Sequence, residues 1–386
     1  QHGFRQRRSC ETQLVSTITD FIGTIENKGQ CDVILLDFSK AFDKVSHDLL
    51  LNKLIRYGVN TQTHKWISSF LNNRTQQVVV DGVSSERSEV SSGVPQGSVL
   101  GPLLFLLFIN DLPSYTKHSS IRLFADDCVL YKQITSDDDR NKLQDDLNGL
   151  LQWEDDWKMQ FHPEKCVQLS ITLKKKPMET NYTMRSHQLE KVSSAKYLGI
   201  TISSNLSWSP HIEDITSKAF SKLAFLQRNI SHCPRKTKTL AYQSLIRPKL
   251  EYSVGIWDPH TKKDISRLEA VQRKAARFVT GDFGRDSSVT NMLDDLEWPP
   301  LQRRRKELKL TLFHKAYHKE VDIPIPLDTN ARGSAHKFLI PSSRTNHHLY
   351  SFYPSTVRLW NVLPGEAVMS DTADKFKATL KCRQLE

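Results

Sequence analysis

The chain runs to 386 residues and carries 54 Lys and Arg against 43 Asp and Glu, a formal charge of +11 at pH 7. Such a surface attracts polyanions, so a nucleic-acid partner fits it and a strongly basic one does not. No apolar run reaches the roughly 20 residues of a membrane span, no signal peptide is present, and the six cysteines (10, 31, 128, 166, 233 and 382) show neither CxxC nor zinc-knuckle spacing, which favours a reduced protein over a disulfide scaffold.

The first strand signal is Val33-Ile34-Leu35-Leu36, β-branched, apolar and short enough to be buried, so Asp37 arrives at a strand end instead of on a solvated face. A helix pattern follows from Ser46 to Tyr57, and Asp43 just ahead of it reads as an N-terminal helix carboxylate. In Ser92-Gly93-Val94-Pro95-Gln96-Gly97-Ser98, two glycines around a Pro-Gln let backbone approach a flat ligand closely, and Gln96 can hydrogen-bond it. The apolar run from Val99 to Asp111 behind it is a buried helix, interrupted at Gly101-Pro102. Ile121 to Ala125 and Val129 to Ile134 are two more strands, with Asp126 and Asp127 at the tight turn between them.

A hairpin tip can present both of those carboxylates beside Asp37. Three carboxylates in a small volume repel one another and raise each other's pKa unless a cation neutralises them. Mg²⁺ suits such a site, because it takes oxygen ligands while keeping waters and substrate phosphates. Two ions about 3.5–4 Å apart would clamp the attacking and leaving oxygens of phosphoryl transfer. An Asp-Asp pair alone is more often ordinary turn chemistry; the Ser92–Ser98 segment is what lifts this one above that reading.

Beyond residue 204 the pattern turns helical, with segments from Ile212 to Ile230, Arg235 to Leu250 and Ile265 to Thr280. In the last, Ile265, Leu268, Val271, Ala275 and Val279 make an apolar stripe while Arg267, Arg273, Lys274 and Arg277 stay polar. That basic face either docks on a nucleic-acid duplex through phosphates and 2′-OH groups or is simply solvated. Gln302-Arg303-Arg304-Arg305-Lys306 is strongly basic and runs into a helical pattern from Leu308 to Tyr317; it could grip RNA, serve as a nuclear import signal or be solvated. Residues 323 to 355, rich in Pro, Ser, Asn and His, read as an extended loop with little core.

Taken in order, Phe38-Ser39-Lys40-Ala41-Phe42-Asp43 after its apolar strand, then Gly93-Val94-Pro95-Gln96-Gly97-Ser98-Val99-Leu100-Gly101-Pro102, then Phe124-Ala125-Asp126-Asp127 resemble reverse transcriptase motifs A, B and C. The wording is nearest to non-LTR retrotransposons of the jockey and CR1 type. The opening Gln1 to Cys10 resembles the segment just upstream of motif A, Phe161 to Lys165 resembles motif D, and Lys196 to Ile202 resembles the primer-grip motif E. Ser351 to Pro354 and Leu359 to Pro364 resemble the region that closes such reading frames, so the likeness covers essentially the whole chain.

The resemblance implies an α+β fold. A right-hand polymerase palm, an antiparallel sheet with packed helices, would occupy residues 1–204 with partial fingers; an all-α thumb would span 205–285 and a mixed C-terminal region 286–386. It implies an RNA-directed DNA polymerase that joins dNTPs to a DNA primer 3′-OH on an RNA template, using two Mg²⁺ or Mn²⁺ ions. Asp37 and Asp126 would ligate both metals and Asp127 would support them. Phe42 would wall off a ribose 2′-OH and so select dNTPs, while Phe38, Gln96 and Gly97 would line the incoming nucleotide, Gln96 also lying against the template base. Lys165 matches a lysine that protonates the leaving pyrophosphate; an ordinary surface lysine is the alternative. Chemistry of this kind asks little of side-chain bases, since positioning and charge neutralisation carry it.

The chain begins at Gln1, without Met and inside a motif, so a fragment is expected, lacking the upstream finger motifs and the endonuclease and polymerising poorly on that account. The competing function is a non-catalytic remnant that binds RNA. No membrane partner is expected. Family analogy places the activity in the nucleus, or in the cytoplasm as a ribonucleoprotein.

Overall fold

The Val33-Ile34-Leu35-Leu36 run forms the heart of strand β1 (Gln30–Leu36), the middle strand of a five-stranded sheet. The other strands are β2 (Ser120–Phe124), β3 (Asp127–Ile134), β4 (Val167–Thr172) and the short β5 (Glu190–Lys191). Their order is β5-β4-β1-β3-β2, with β1 antiparallel to both of its neighbours and β5 parallel to β4. Val33, Ile34 and Leu36 are all buried, as a central strand covered on both faces requires. The sequence pattern places Asp127 in the turn; in the structure it is the first residue of β3, paired with Phe124, and the turn itself is only Ala125 and Asp126.

The computed structural model describes residues 1–325 and 336–381. They divide into two compact units: Gln1–Gln13 with Lys28–Leu198, and Leu14–Asn27 with the chain from Gly199 onward.

In the first unit, helices His47–Arg56, Leu100–Ile109 and Asp137–Trp157 supply the core against which the sheet packs. Ser46 ends the preceding extended segment, and Gly101-Pro102 sits in the first turn of its helix, where Pro costs no hydrogen bond. The helix Asp137–Trp157 is capped by Ser136, whose side chain accepts from Asp139 N, and Asp137, Asp138 and Asp139 meet the positive end of its dipole. Its Leu143, Leu147, Leu150 and Trp153 are wholly buried.

These helices meet around a buried cation. Lys53, on the His47–Arg56 helix, donates from Nζ to the carbonyl of Phe108 and to Asp111 Oδ1 at 2.5 Å, and lies 3.5 Å from the centroid of a Trp157 ring. Trp153 Nε1 donates to the same Asp111 oxygen at 2.9 Å. Burial pushes the Lys53 ammonium down to about 8, with Asp111 opposing the shift.

The second unit is largely helical: Ser209–Asn229, Arg235–Leu245, Lys262–Thr280, Leu301–Tyr317, Phe352–Asn361 and Ala373–Lys381. Lys262–Thr280 buries Leu268, Val271, Ala275 and Val279 as its pattern requires. Of its polar cations, Arg277 donates to the carbonyl of Gly284 at 2.9 Å and Arg267 reaches Glu213, leaving Arg273 and Lys274 exposed.

Two cations of the basic run at 302–306, Arg304 and Arg305, are committed inside the fold. The run lies inside the helix Leu301–Tyr317, where Arg305 is fully buried with Nε 2.8 Å from Asp258 Oδ1, and Arg304 forks onto Glu251. Lys309 joins Asp258 from the next turn at 2.6 Å. Charge that looks free in the sequence is consumed by carboxylates some 50 residues upstream. The expected loose loop at 323–355 is also better anchored than its composition suggests. Ile323 and Phe338 are buried, Phe338 edge-on to Phe313, and Thr345 and Arg344 bind the main chain and carboxylate of Glu26. Residues 326–335 of that loop, and Cys382, lie outside the described residues. No described helix is long and apolar enough to cross a membrane.

The Lys53 site gives a signed pH test. Its ammonium has an ordinary value of 10.5 when unfolded and about 8 when folded, so the unfolded chain holds more protons between those limits. Stability relative to Lys53→Ala should then be flat below pH 8 and rise from pH 8 to 10.5. At pH 7 the substitution should cost about 3 kcal/mol, because it strands Asp111 and opens the aromatic box. Denaturant titrations followed by tryptophan fluorescence measure both.

Candidate active site

Strand register, more than local sequence, assembles the site. The β1–β3 pairing ends at Leu36 opposite Cys128, and the next step brings Asp37 level with Asp127. On the other side, the β1–β4 pairing runs out at Leu35 opposite Val167, and two further steps bring Asp37 level with Lys165. Residues directly opposite in antiparallel strands share a face. Asp127, Asp37 and Lys165 thus form a row across the strand ends. All three line one open cavity of about 440 Å³, together with Lys196 and Tyr197.

Within that row Lys165 Nζ lies 3.4 Å from Asp37 Oδ2, both side chains well exposed. Asp126, in the adjoining turn, does not line the cavity, yet its carboxyl is pushed above the usual range by burial and by the charge of Asp37. Asp127 reaches solvent along one side, but the protein around it still raises its carboxyl to about 6, with the charges of Asp126 and Asp37 adding to the shift. The three carboxylates therefore feel one another.

Main-chain contacts fix the row. Asp37 N donates to Cys166 Sγ at 3.4 Å, His162 N donates to Asp37 O at 2.8 Å, and Ser39 N donates to Gln160 O at 2.8 Å. The segment carrying Lys165 is thereby stitched to the end of β1, and the single-turn helix Pro163–Lys165 sets the lysine over Asp37. Tyr197 is buried and its hydroxyl accepts from the Gln13 amide.

Phe42, Gln96 and Gly97 are not among the residues lining that cavity. They form a second cluster. Phe42 is half-buried, stacked on Phe105 at 4.2 Å, and its carbonyl accepts from Val94 N at 2.9 Å. Gln96 Nε2 donates to Asp43 Oδ1 at 2.8 Å, and Ser92 Oγ donates to Asp43 O at 2.9 Å. Gly93 sits so close that a Cβ would lie 2.8 Å from Asp43 Cα, at a φ of +89° that disfavours side chains in any case. Asp43 is therefore not a helix carboxylate: the helix begins at His47, and the acid anchors Gln96. Phe38 is placed differently from the other candidates. Its ring is 5% exposed, stacked on Phe161 at 4.3 Å and edge-on to Trp153, so only its main chain is left to meet a substrate.

Cys166 escaped the sequence reading, and Asp43 and Tyr197, inside the motif A and motif E likenesses, had no site role there. Their roles depend on partners far off in the chain, and no local spacing signals them.

Among the described residues no three His, Cys, Asp or Glu side chains close into a ready metal cage. The residues nonetheless fit a divalent cation of the Mg²⁺ kind, which binds through one or two carboxylates and takes its remaining ligands from water and phosphate. An open cavity walled by Asp37 and Asp127, with crowded negative charge, supplies that donor set.

Residues 1–202 match the family described as reverse transcriptase (RNA-dependent DNA polymerase). The chain is 30% identical over 289 residues to a probable RNA-directed DNA polymerase from transposon X-element of Drosophila melanogaster, covering 73% of this chain and 32% of that protein. It is also 30% identical over 318 residues to the RNA-directed DNA polymerase from mobile element jockey of the same species (77% and 34%), and 26% identical to its Drosophila funebris counterpart (92% and 39%). The chain thus spans about a third of the length of these relatives. Among solved structures, telomerase from Candida albicans in complex with a TWJ fragment of telomeric RNA aligns over 81% of this chain and 53% of that one, at 10% identity and a TM-score of 0.41, too distant to inform the fold.

Asp127→Asn removes one of the mutually repelling charges. Without divalent cation its melting temperature should lie above wild type, and the stabilisation given by Mn²⁺ should shrink as affinity falls about tenfold or more. Thermal melts with and without Mn²⁺ read both.

Proposed function

The chain belongs to the reverse transcriptase family, and from that premise we propose that it is the polymerase segment of a jockey-type non-LTR retrotransposon protein, adding dNTPs to a DNA primer 3′-OH on an RNA template. The observation that carries this reading is the row of Asp127, Asp37 and Lys165 across the ends of three antiparallel strands, with Asp126 in the adjoining turn. The second unit would supply the thumb and C-terminal region.

Asp37 and Asp126 would hold the divalent cations, Mg²⁺ or Mn²⁺, with Asp127 in support. When bound, such ions lower the pKa of an attacking hydroxyl and balance charge on a leaving pyrophosphate. The protein's own part is placement. Cys166, His162 and the strand register fix Asp37, so that its carboxylate is set in place before substrate arrives. Lys165, held beside Asp37 on an exposed stem, is free to turn toward polyphosphate and deliver a proton to its leaving oxygen. Phe42, braced on Phe105, would stand as a rigid wall against a ribose 2′-OH. Gln96, held by Asp43, would lie against the incoming nucleotide, with Gly97 giving its backbone a close approach.

Primer extension on poly(rA)/oligo(dT) in Mg²⁺ or Mn²⁺ tests the proposal. Asp126→Ala should lower dNTP incorporation roughly a thousandfold, several kcal/mol of transition-state stabilisation, while template binding persists. Phe42→Val should raise use of rNTPs relative to dNTPs roughly tenfold. Template binding with no incorporation in either metal would instead support an RNA-binding remnant. Incorporation indifferent to Asp126→Ala would show that synthesis happens elsewhere.

A further inference from the structure

The segment at the start of the chain, Gln1-His2-Gly3, lies against the turn that carries Asp126. Among the described residues strand β2 is an edge strand, with no strand partner on one side of its backbone. His2 fills part of that edge, donating from N to Leu123 O at 2.8 Å. The Gln1 side chain then reaches past the end of the strand. Its Oε1 accepts from Ala125 N at 2.9 Å and from Gly3 N at 2.8 Å, while its Nε2 donates to Ala125 O at 3.3 Å. A single amide thus serves both main-chain groups of Ala125. Arg8 holds the other end, donating from Nη1 to Gln1 O at 2.7 Å.

Ala125 is the residue that most needs holding. It has a φ of +53°, a left-handed conformation that disfavours any residue with a side chain and persists where the surroundings over-determine it. Asp126 follows it directly, so rotation at Ala125 would swing the carboxylate away from Asp37. Gly3 makes the contact possible: a Cβ there would lie 2.4 Å from Ala125 N and 3.2 Å from Ala125 Cβ. Any side chain at position 3 would lift the segment off the turn.

We propose that Gln1-His2-Gly3 is a strap that positions the Asp126-Asp127 turn, with Gln1 the positioning residue and Gly3 the gap that lets it seat. The strap rests on the polymerase reading only for its consequence, the orientation of the metal-binding carboxylates. Its grip on the turn is separate chemistry and can be read separately.

Wild type, Gln1→Ala, Gln1→Glu and Gly3→Ala are compared as the full chain behind one common leader sequence. The readouts are Mn²⁺ affinity by electron paramagnetic resonance, amide exchange of residues 124–128, melting temperature, and kcat and KM in primer extension. Gln1→Ala and Gly3→Ala should speed exchange at the turn, weaken Mn²⁺ binding and lower kcat about 10–100-fold, as outer partners of metal ligands do, with KM for template-primer and melting temperature little changed. Gln1→Glu keeps the accepting contacts of Oε1 but turns a carboxylate oxygen toward Ala125 O, so it should recover only the part of the loss that those contacts carry. If the two disabling variants match wild type in Mn²⁺ affinity and in turn exchange, the strap is wrong, whether or not the wild type extends a primer. If they lose both while even the wild type extends no primer, the strap stands and the polymerase reading falls. A fall in melting temperature of several degrees in both Gln1→Ala and Gly3→Ala would make the segment part of the general packing and overturn its positioning role.

Discussion

Everything proposed for this chain depends on one constraint, the antiparallel register of β1 between β3 and β4. Because β1 is paired along both edges, a slip by one residue would turn Asp37 to the opposite face of the sheet, away from Asp127 and Lys165. The pairing along both edges that holds the strand also aligns Asp37 with Asp127 and Lys165. Repulsion among the acids is the cost of that alignment. Burial, with the charges of neighbouring acids adding to it, drives the carboxyls of Asp126 and Asp127 above their ordinary range.

The same economy governs the basic residues. A net charge of +11 suggests a broadly cationic surface, but many of the cations are committed inside the fold. Arg304 and Arg305 pair with Glu251 and Asp258, Lys309 joins Asp258, Arg277 serves carbonyl oxygens after its helix, and Lys53 sits in an aromatic box over Asp111. A buried pair of this kind adds little net stability, yet it becomes expensive once one partner is lost. Such residues fix how helices meet, and they cannot also grip a nucleic acid. What remains for that role are exposed groups such as Arg273 and Lys274.

Loops in the first unit are held by similar long-range main-chain contacts. The Gly93–Ser98 segment leans on Asp43, with Gly93 leaving no room for a side chain, and the Gln1–Gly3 segment leans on Ala125 with the same lack of room. In both places a glycine is needed for a close approach and a glutamine amide completes the bond. These are the positions where a backbone conformation that would be unfavourable alone is stabilised by its neighbours.

How much was legible beforehand follows from the range of the interactions involved. The sequence by itself determined that strands precede Asp37 and flank the Asp-Asp turn, that an apolar helix backs the glycine-proline loop, and that Lys262–Thr280 has one buried stripe, because periodicity and turn chemistry act over a few neighbouring residues. The ordered motifs also determined the family. Only the tertiary structure decided that Asp127 belongs to a strand, that Asp43 anchors Gln96, that the ring of Phe38 is spent in the core and that Arg304 and Arg305 are neutralised within the fold. Asp127 apart, which pairs with nearby Phe124 across the turn, each of those outcomes turns on a partner tens of residues or more away, brought close by sheet register or helix packing, and no local pattern in a sequence records which distant group will arrive.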